Sequence, residues 1–248
     1  MSEYPLLISA GLIPPTLSWD KTMTRRILRS QPPTGAPVVV SPWEPGVTAY
    51  EPGEFGIYRE GKPPGQWGLE KVIKCPYGTR GDILWVREEW IANPAYNHIA
   101  PRDILDMLKE IRSAVQIEYR AGRYDPLPED PNHGPWGSTE NRWRRSIHMP
   151  RWASRIDLYV MNTRVERLQA ISHEDAIAEG APRCPELNNY GTGSIYRDWF
   201  AEKWDSINKK RPGCLWKDNP LVWVVEFSVE KVRESWEIEE AIEERLRG

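Results

Sequence analysis

Leu221-Val222-Trp223-Val224-Val225-Glu226-Phe227-Ser228-Val229 is the stretch whose pattern decides the fold class. Leu221, Trp223, Val225, Phe227 and Val229 recur at every second position, the period of a β-strand with one face turned inward. The stretch lies near the end of a chain of 248 residues, so it is expected to close a sheet begun by earlier segments. Two of those segments are clear. Ile83, Trp85 and Arg87 alternate with Leu84, Val86 and Glu88 up to Trp90, which reads as a strand buried on much of both faces. Arg155 to Ile171 is long and β-rich, with Ile156, Leu158 and Val160 on one face. Between them and the last strand, Ser172 to Gly180 reads as a short helix: Ser172 is its N-cap, Asp175 answers three residues later, and Gly180 ends it. Residues 194–207 set Ile195, Trp199, Phe200, Trp204 and Ile207 at helical spacing, and 234–248 is a Glu-rich helical tail. This order predicts an α+β fold, one domain over 1–248, with a barrel-like sheet and flanking helices.

Two long, loop-rich insertions interrupt the pattern, at about 31–80 and 92–141. The first holds nine prolines, with short apolar runs at Val38-Val39-Val40 and Phe55-Gly56-Ile57-Tyr58 that predict two or three short strands. Trp43, Tyr50, Phe55, Tyr58 and Trp67 argue against a free linker, which would leave them in water. The second insertion carries a helix near 102–113 (Ile104, Leu105, Leu108, Ile111), a strand at Gln116–Tyr119, and a turn-rich stretch from Asp125 to Thr139. No repeat of 20 to 50 residues occurs, which sets solenoids and propellers aside.

Thirty-three Lys and Arg against 36 Asp and Glu leave a formal net charge of −3. No run of about 18 apolar residues is present, and MSEYPLLIS lacks a charged region ahead of a long apolar stretch, so a cytoplasmic protein without membrane association is expected. Cys75, Cys184 and Cys214 are scattered with no C-x-x-C, which argues against a disulfide framework or a zinc site, and no metal or cofactor is expected. No P-loop or G-x-G-x-x-G occurs to support nucleotide hydrolysis or dinucleotide binding. The cations are mostly arginine, 23 against 10 lysines, and Arg suits phosphate, stacked bases and buried carboxylates alike. The 13 Trp against 3 Phe fit either a Trp-filled core or base-stacking platforms.

Two stretches could carry chemistry. Lys21-Thr22-Met23-Thr24-Arg25-Arg26 places an amine three residues from a hydroxyl; the two share a face only where the chain bends like a helical turn, since in a plain strand they point oppositely. A helix ending near Asp20 would supply that corner. Arg142 to Arg155 holds five Arg and two Trp with no acid in 14 residues. Such a run is either a footprint for phosphates and bases, with Arg144, Arg145 and Arg151 on phosphate and Trp143 the better stacking residue, or a set of arginines paired with Asp and Glu of the insertions, with Trp152 in the core. His148 is more simply a structural residue than a catalyst. Glu179, in the last turn of its helix, sits at the unfavourable end of the helix dipole, a placement easier to understand if it faces Lys21 or Arg26.

In combination, Lys21-Thr22-x-Thr24-x-Arg26, Gly81-Asp82 leading a Trp-containing strand, Glu174-Asp175-Ala176-Ile177-Ala178-Glu179-Gly180, and Val222 to Phe227 resemble the ASCH family of PUA-like domains. Ser146 to Ile156 and Cys75-Pro76-Tyr77-Gly78 resemble phage and prophage proteins carrying that domain. The resemblance implies a PUA-like β-barrel whose cleft, with Lys21, Thr24, Arg25, Arg26, Arg87 and Glu179, binds RNA or a modified nucleoside, helped by Trp143, Arg144, Arg145, His148 and Arg151. One branch of the family is similar to amidohydrolases that deacylate N4-acetylcytidine. On that branch Thr24 would be the nucleophile, Lys21 its general base, and Glu179 the acid/base or orienting carboxylate. Ser18-Trp19-Asp20 differs from the small or basic pair common in the family, and Asp20 would raise the Lys21 pKa if close. A third expectation, from another class, is a phage accessory protein that binds a host protein through its Trp-rich surface.

Overall fold

The computed structural model describes residues 1–29, 31–32, 38–42, 53–60, 67–111, 117–121, 143–183 and 193–247. Among these, β-strands run at Glu3–Leu7 (β1), Met23–Ile27 (β2), Val38–Pro42 (β3), Glu54–Glu60 (β4), Trp67–Lys74 (β5), Ile83–Arg87 (β6), Trp90–Ala92 (β7), Ile117–Tyr119 (β8), Ile156–Arg167 (β9) and Leu221–Val232 (β10). Helices are Ile13–Leu17 (α1), Ile104–Ile111 (α2), His173–Ala178 (α3), Gly193–Asn208 (α4) and Ser235–Arg247 (α5). The fold is α+β. Its main sheet is mixed, with five strands in the order β1-β6-β9-β10-β2, and among the described residues it ends at β1 and β2. The first insertion forms the antiparallel sheet β3-β4-β5, and β7 pairs with β8. The turn-rich stretch 125–139 lies outside the described residues.

The chain divides into two compact units, each assembled from separated segments. One comprises Met1–Ser2, Trp19–Asp82 and Tyr159–Ser228; the other comprises Glu3–Ser18, Ile83–Leu158 and Val229–Gly248.

In the first unit, β10 shows why its sequence is apolar on more than alternate positions: Leu221 to Val225 are all buried. Val222 and Val224 face Ala176, Tyr196, Phe200 and Trp204 of α3 and α4. Leu221 and Trp223 face Phe55, Ile57 and Ile73 of β4 and β5. A strand covered on both faces needs apolar side chains at both parities, which overrides the one-sided alternation expected of it. β2 pairs antiparallel with β10, Thr24 opposite Val225, and follows the same division. Met23 and Ile27 lie with the helices, and Leu28 lies with the β4–β5 side. Burial pushes the thiol of Cys75, in this second cluster, up to about 12, so it is an inert filler.

In the second unit, Trp90, Ile104, Leu108, Ile117, Tyr119, Ile238 and Ile242 form the core, with Trp152 packed on its edge. Trp152 meets Trp90 edge to face at 5.7 Å. β1 runs parallel to β6. A buried ion pair sits here as well: Arg155 grips both carboxylate oxygens of Glu88 at 2.8 and 2.9 Å and donates to the Ala121 carbonyl. No helix among the described residues is long and apolar enough to cross a membrane.

Candidate functional site

The site is built on the end of α3. The Ser172 hydroxyl accepts from the Asp175 amide at 3.0 Å and starts the helix as its sequence predicts, and Gly180, at φ 97°, ends it. Helix ends leave carbonyls without partners, and Lys21 takes one of them. Its ammonium donates to the Glu179 carbonyl at 2.8 Å, to Glu179 Oε2 at 2.9 Å and to the Met23 carbonyl at 2.6 Å. All three ammonium protons are therefore used. This contact also resolves the placement of Glu179, because the cation offsets both its charge and the negative end of the helix. The pair is deeply enclosed, with Lys21 1% and Glu179 5% exposed. Burial pushes the Lys21 amine down from its usual range, against the pull of Glu179 and with the help of Arg26 and Arg25. Asp20, the neighbour expected to oppose that shift, instead lies 3.8 Å from Arg183.

Arg25 extends the site into a network. Its guanidinium, 0% exposed, donates to Glu166 at 2.6 Å, Asp175 at 2.5 Å and Glu179 at 3.4 Å, and lies 5.8 Å over the Phe200 ring. Arg164 joins Glu166, Asp175 and Glu226 from β9. The Thr22 amide donates to the Ala178 carbonyl and the Phe227 amide to the Thr22 carbonyl, so backbone bonds tie the helix end to the sheet.

Side chains alternate along a strand, which separates the residues of β2. Met23 and Arg25 face the helices and the carboxylates. Thr24 and Arg26 face the opposite side, toward Leu28, Trp223 and Tyr77. The corner ahead of β2 thus brings Lys21 to Glu179, while Thr24 is 3% exposed and its hydroxyl joins none of the hydrogen bonds of the network. Arg26 is held mainly by burial below the usual arginine range, and Tyr77 and Glu179 both act on its charge from nearby.

The basic run lies in the second unit, where most of its arginines are engaged. Arg144 donates to the Tyr96 and Ile99 carbonyls and stacks on Trp90. Arg151 pairs with Glu3 and Asp157, and Arg155 with Glu88. Arg87 lies 4.6 Å over the Trp85 ring and donates to the Ile147 carbonyl. Trp143 is half-buried, Arg145 and His148 are exposed, and Arg142 lies outside the described residues. Arg151 and Arg155 are thus paired internally, but with Glu3, Asp157 and Glu88, which lie outside the two insertions, and Arg144 is held by the carbonyls of Tyr96 and Ile99 in the second insertion rather than by acids.

Sequence reasoning passed over Trp19. It follows Ser18, the C-cap of α1, at φ 67°, a left-handed position that glycine usually fills, and it is 64% exposed. A bulky side chain there costs about 1 kcal/mol or more and recovers little by packing. Trp19→Gly is expected to stabilise the protein by about 1 kcal/mol, read as a rise in urea midpoint at unchanged slope; a loss would mean that the indole packs in solution. The adjacent cations Lys209-Lys210-Arg211 were equally legible and equally passed over. Among the described residues no group of three or more His, Cys, Asp or Glu is placed to hold a metal ion. Comparison with known proteins finds no matching family model, no matching curated protein and no matching solved structure.

Proposed function

We propose that the chain is an ASCH-type, PUA-like domain that binds RNA or a modified pyrimidine nucleoside at Lys21, Thr24, Arg26 and Glu179. The observation that carries this reading is the enclosed Lys21–Glu179 pair, which joins residues 158 apart in the chain. An ammonium and a carboxylate side by side are the donor and acceptor types that read a pyrimidine edge, and because the three Lys21 protons are bonded within the protein, a base gains one of them only by replacing an internal acceptor. Thr24, on the other face of β2, carries a hydroxyl that joins none of the hydrogen bonds of the Lys21–Glu179 network. The engaged state of Arg144, Arg151 and Arg155 favours recognition of a base by this site over a broad grip on phosphates by the basic run.

Titration calorimetry with N4-acetylcytidine and cytidine tests it. Wild type is expected to bind the modified nucleoside, and Thr24→Val to lose roughly 3- to 10-fold in affinity with no loss of melting temperature. Equal binding by Thr24→Val would remove Thr24 from the site, and absence of any binding would sink the reading.

The hydrolase reading has one observation in its favour, the lowered pKa of the Lys21 amine, which is the direction a general base for Thr24 requires. Against it, an ammonium with three acceptors has no free lone pair, and Thr24 lies on the other face of β2. Acetate release from N4-acetylcytidine decides between them: binding alone predicts none, whereas hydrolysis predicts release that Thr24→Val abolishes.

A further inference from the structure

We propose that Trp19 is a ligand contact whose indole stacks on the ring of the pyrimidine held at the Lys21–Glu179 corner. This inference rests on the reading of that site given above and adds to it the residue that grips the face of the ring.

The corner ahead of β2 lies alongside the end of α3, and contacts join the two stretches residue by residue. The Thr22 amide donates to the Ala178 carbonyl at 2.9 Å, the Lys21 ammonium reaches the carbonyl and the carboxylate of Glu179 at 2.8 and 2.9 Å, and Asp20 lies 3.8 Å from Arg183. From Lys21 outward, burial falls. Lys21 and Glu179 are enclosed, the side chains of Asp20 and Arg183 are 50% and 71% exposed, and Trp19, the next residue out, is 64% exposed. All of these residues belong to the first unit. Trp19 therefore stands where the corner meets solvent, beside the exposed Asp20–Arg183 pair and two residues from the enclosed one.

Its conformation and its surroundings both set Trp19 apart. At φ 67° its backbone is left-handed, which is unfavourable for a bulky residue. The other non-glycine residue with a positive φ among those described is Asn219, at φ 45°. Asparagine tolerates that region, and the Asn219 side-chain oxygen accepts from the Gln169 amide at 2.8 Å, so the position is used. Trp19 has no such return within the chain. It is the one exposed aromatic side chain among those described, and its ring meets no other ring and no guanidinium among the described residues. Strain of this kind persists at ligand contacts, where the bound state supplies the interaction that the free state lacks. A flat apolar face next to a donor and an acceptor matches a pyrimidine, which has a flat face and a polar edge. Stacking accepts any base, so the edge sets identity and Trp19 sets strength. A protein partner would call for a wider apolar patch than a single indole beside an exposed ion pair.

The test titrates wild type, Trp19→Gly and Trp19→Phe by calorimetry with N4-acetylcytidine, cytidine and uridine, and unfolds each protein in urea. Expected for Trp19→Gly is a loss of roughly 5- to 100-fold in affinity for N4-acetylcytidine, the range that removal of a stacking ring gives, with a urea midpoint above that of wild type. Trp19→Phe is expected to stay within about 3-fold of wild type, because its ring still stacks. Weaker binding by a more stable protein separates a ligand contact from a structural residue, whose removal lowers both. Trp19→Gly binding as tightly as wild type overturns the stacking and leaves the base site standing. Trp19→Phe as weak as Trp19→Gly, or a fall of affinity and urea midpoint together in Trp19→Gly, also overturns it. Uridine bound as tightly as cytidine and N4-acetylcytidine, and weakened by Trp19→Gly, upholds the stacking and overturns the reading of the base edge by Lys21 and Glu179. No binding of any nucleoside by wild type overturns both.

Discussion

Replacing Arg25 by leucine removes about 3–5 kcal/mol of stability, the range found when one member of a buried ion cluster is deleted. The guanidinium is fully enclosed and serves carboxylates from three places: Glu166 on β9, Asp175 within α3, and Glu179 at the end of α3. Leucine fills part of the volume and keeps a contact with Phe200, but it leaves those carboxylates to Arg164 and Lys21 alone. Deleting a partner exposes the cost of burying what remains, and that cost exceeds the net worth of the pairs themselves. Lysine at the same position is expected to recover little, because a point charge on a flexible stem cannot fork between three acceptors. Urea unfolding of both variants measures this. A loss below about 1 kcal/mol for Arg25→Leu would mean that the carboxylates stay hydrated and that the network does not hold α3 to β2.

In the second unit, Arg155→Ala is expected to cost a similar 3–5 kcal/mol. Glu88 is 1% exposed, and its two oxygens are both held by Arg155. The same guanidinium lies 4.4 Å over the Tyr119 ring, whose hydroxyl donates to the Ala153 carbonyl. Alanine therefore strands an enclosed carboxylate, which burial already pushes up against the pull of Arg155, and empties the stacking position as well. Two further variants make the outcome specific. Arg155→Lys should fail to rescue, since it cannot be both bidentate and stacked. Glu88→Leu/Arg155→Met should recover most of the loss, because removing both charges removes the desolvation cost with them. Hydrogen exchange at Trp90 and at Ile117 to Tyr119 reads the local effect, and unchanged protection in Arg155→Ala would show that the pair is not a structural anchor.

Local rules carried the elements far. The Ser172 cap, the Gly180 stop, the helix over 193–208 and the last strand all follow from short-range chemistry, and such chemistry acts within a few residues. Even the proline-rich first insertion showed its strands, because Phe55, Ile57 and Tyr58 could not have been left in water. Where the reading weakened was the meaning of charge. Arg144, Arg151 and Arg155 look in the sequence like a phosphate footprint because no acid stands within the run from Arg142 to Arg155, although Asp157 just beyond it pairs with Arg151. Their partners are Glu3, Glu88 and the carbonyls of Tyr96 and Ile99, which only folding delivers. Trp19 and Lys209-Lys210-Arg211 were missed for the converse reason, since exposure and position relative to other cations are properties of the folded surface.

By itself the order of residues determined that this is an α+β chain, that Ser172 to Gly180 is a helix whose last residues include a carboxylate, and that Lys21 precedes a strand. Those outcomes depend on periodicity, capping and turn preference. Tertiary structure alone decided that the Lys21 ammonium would cap that helix and pair with Glu179, that Arg25 would gather Glu166, Asp175 and Glu179, and that Thr24 would face the other side of β2. Each of these is a contact between groups distant in the chain, set by which faces are buried together, and no local preference encodes it.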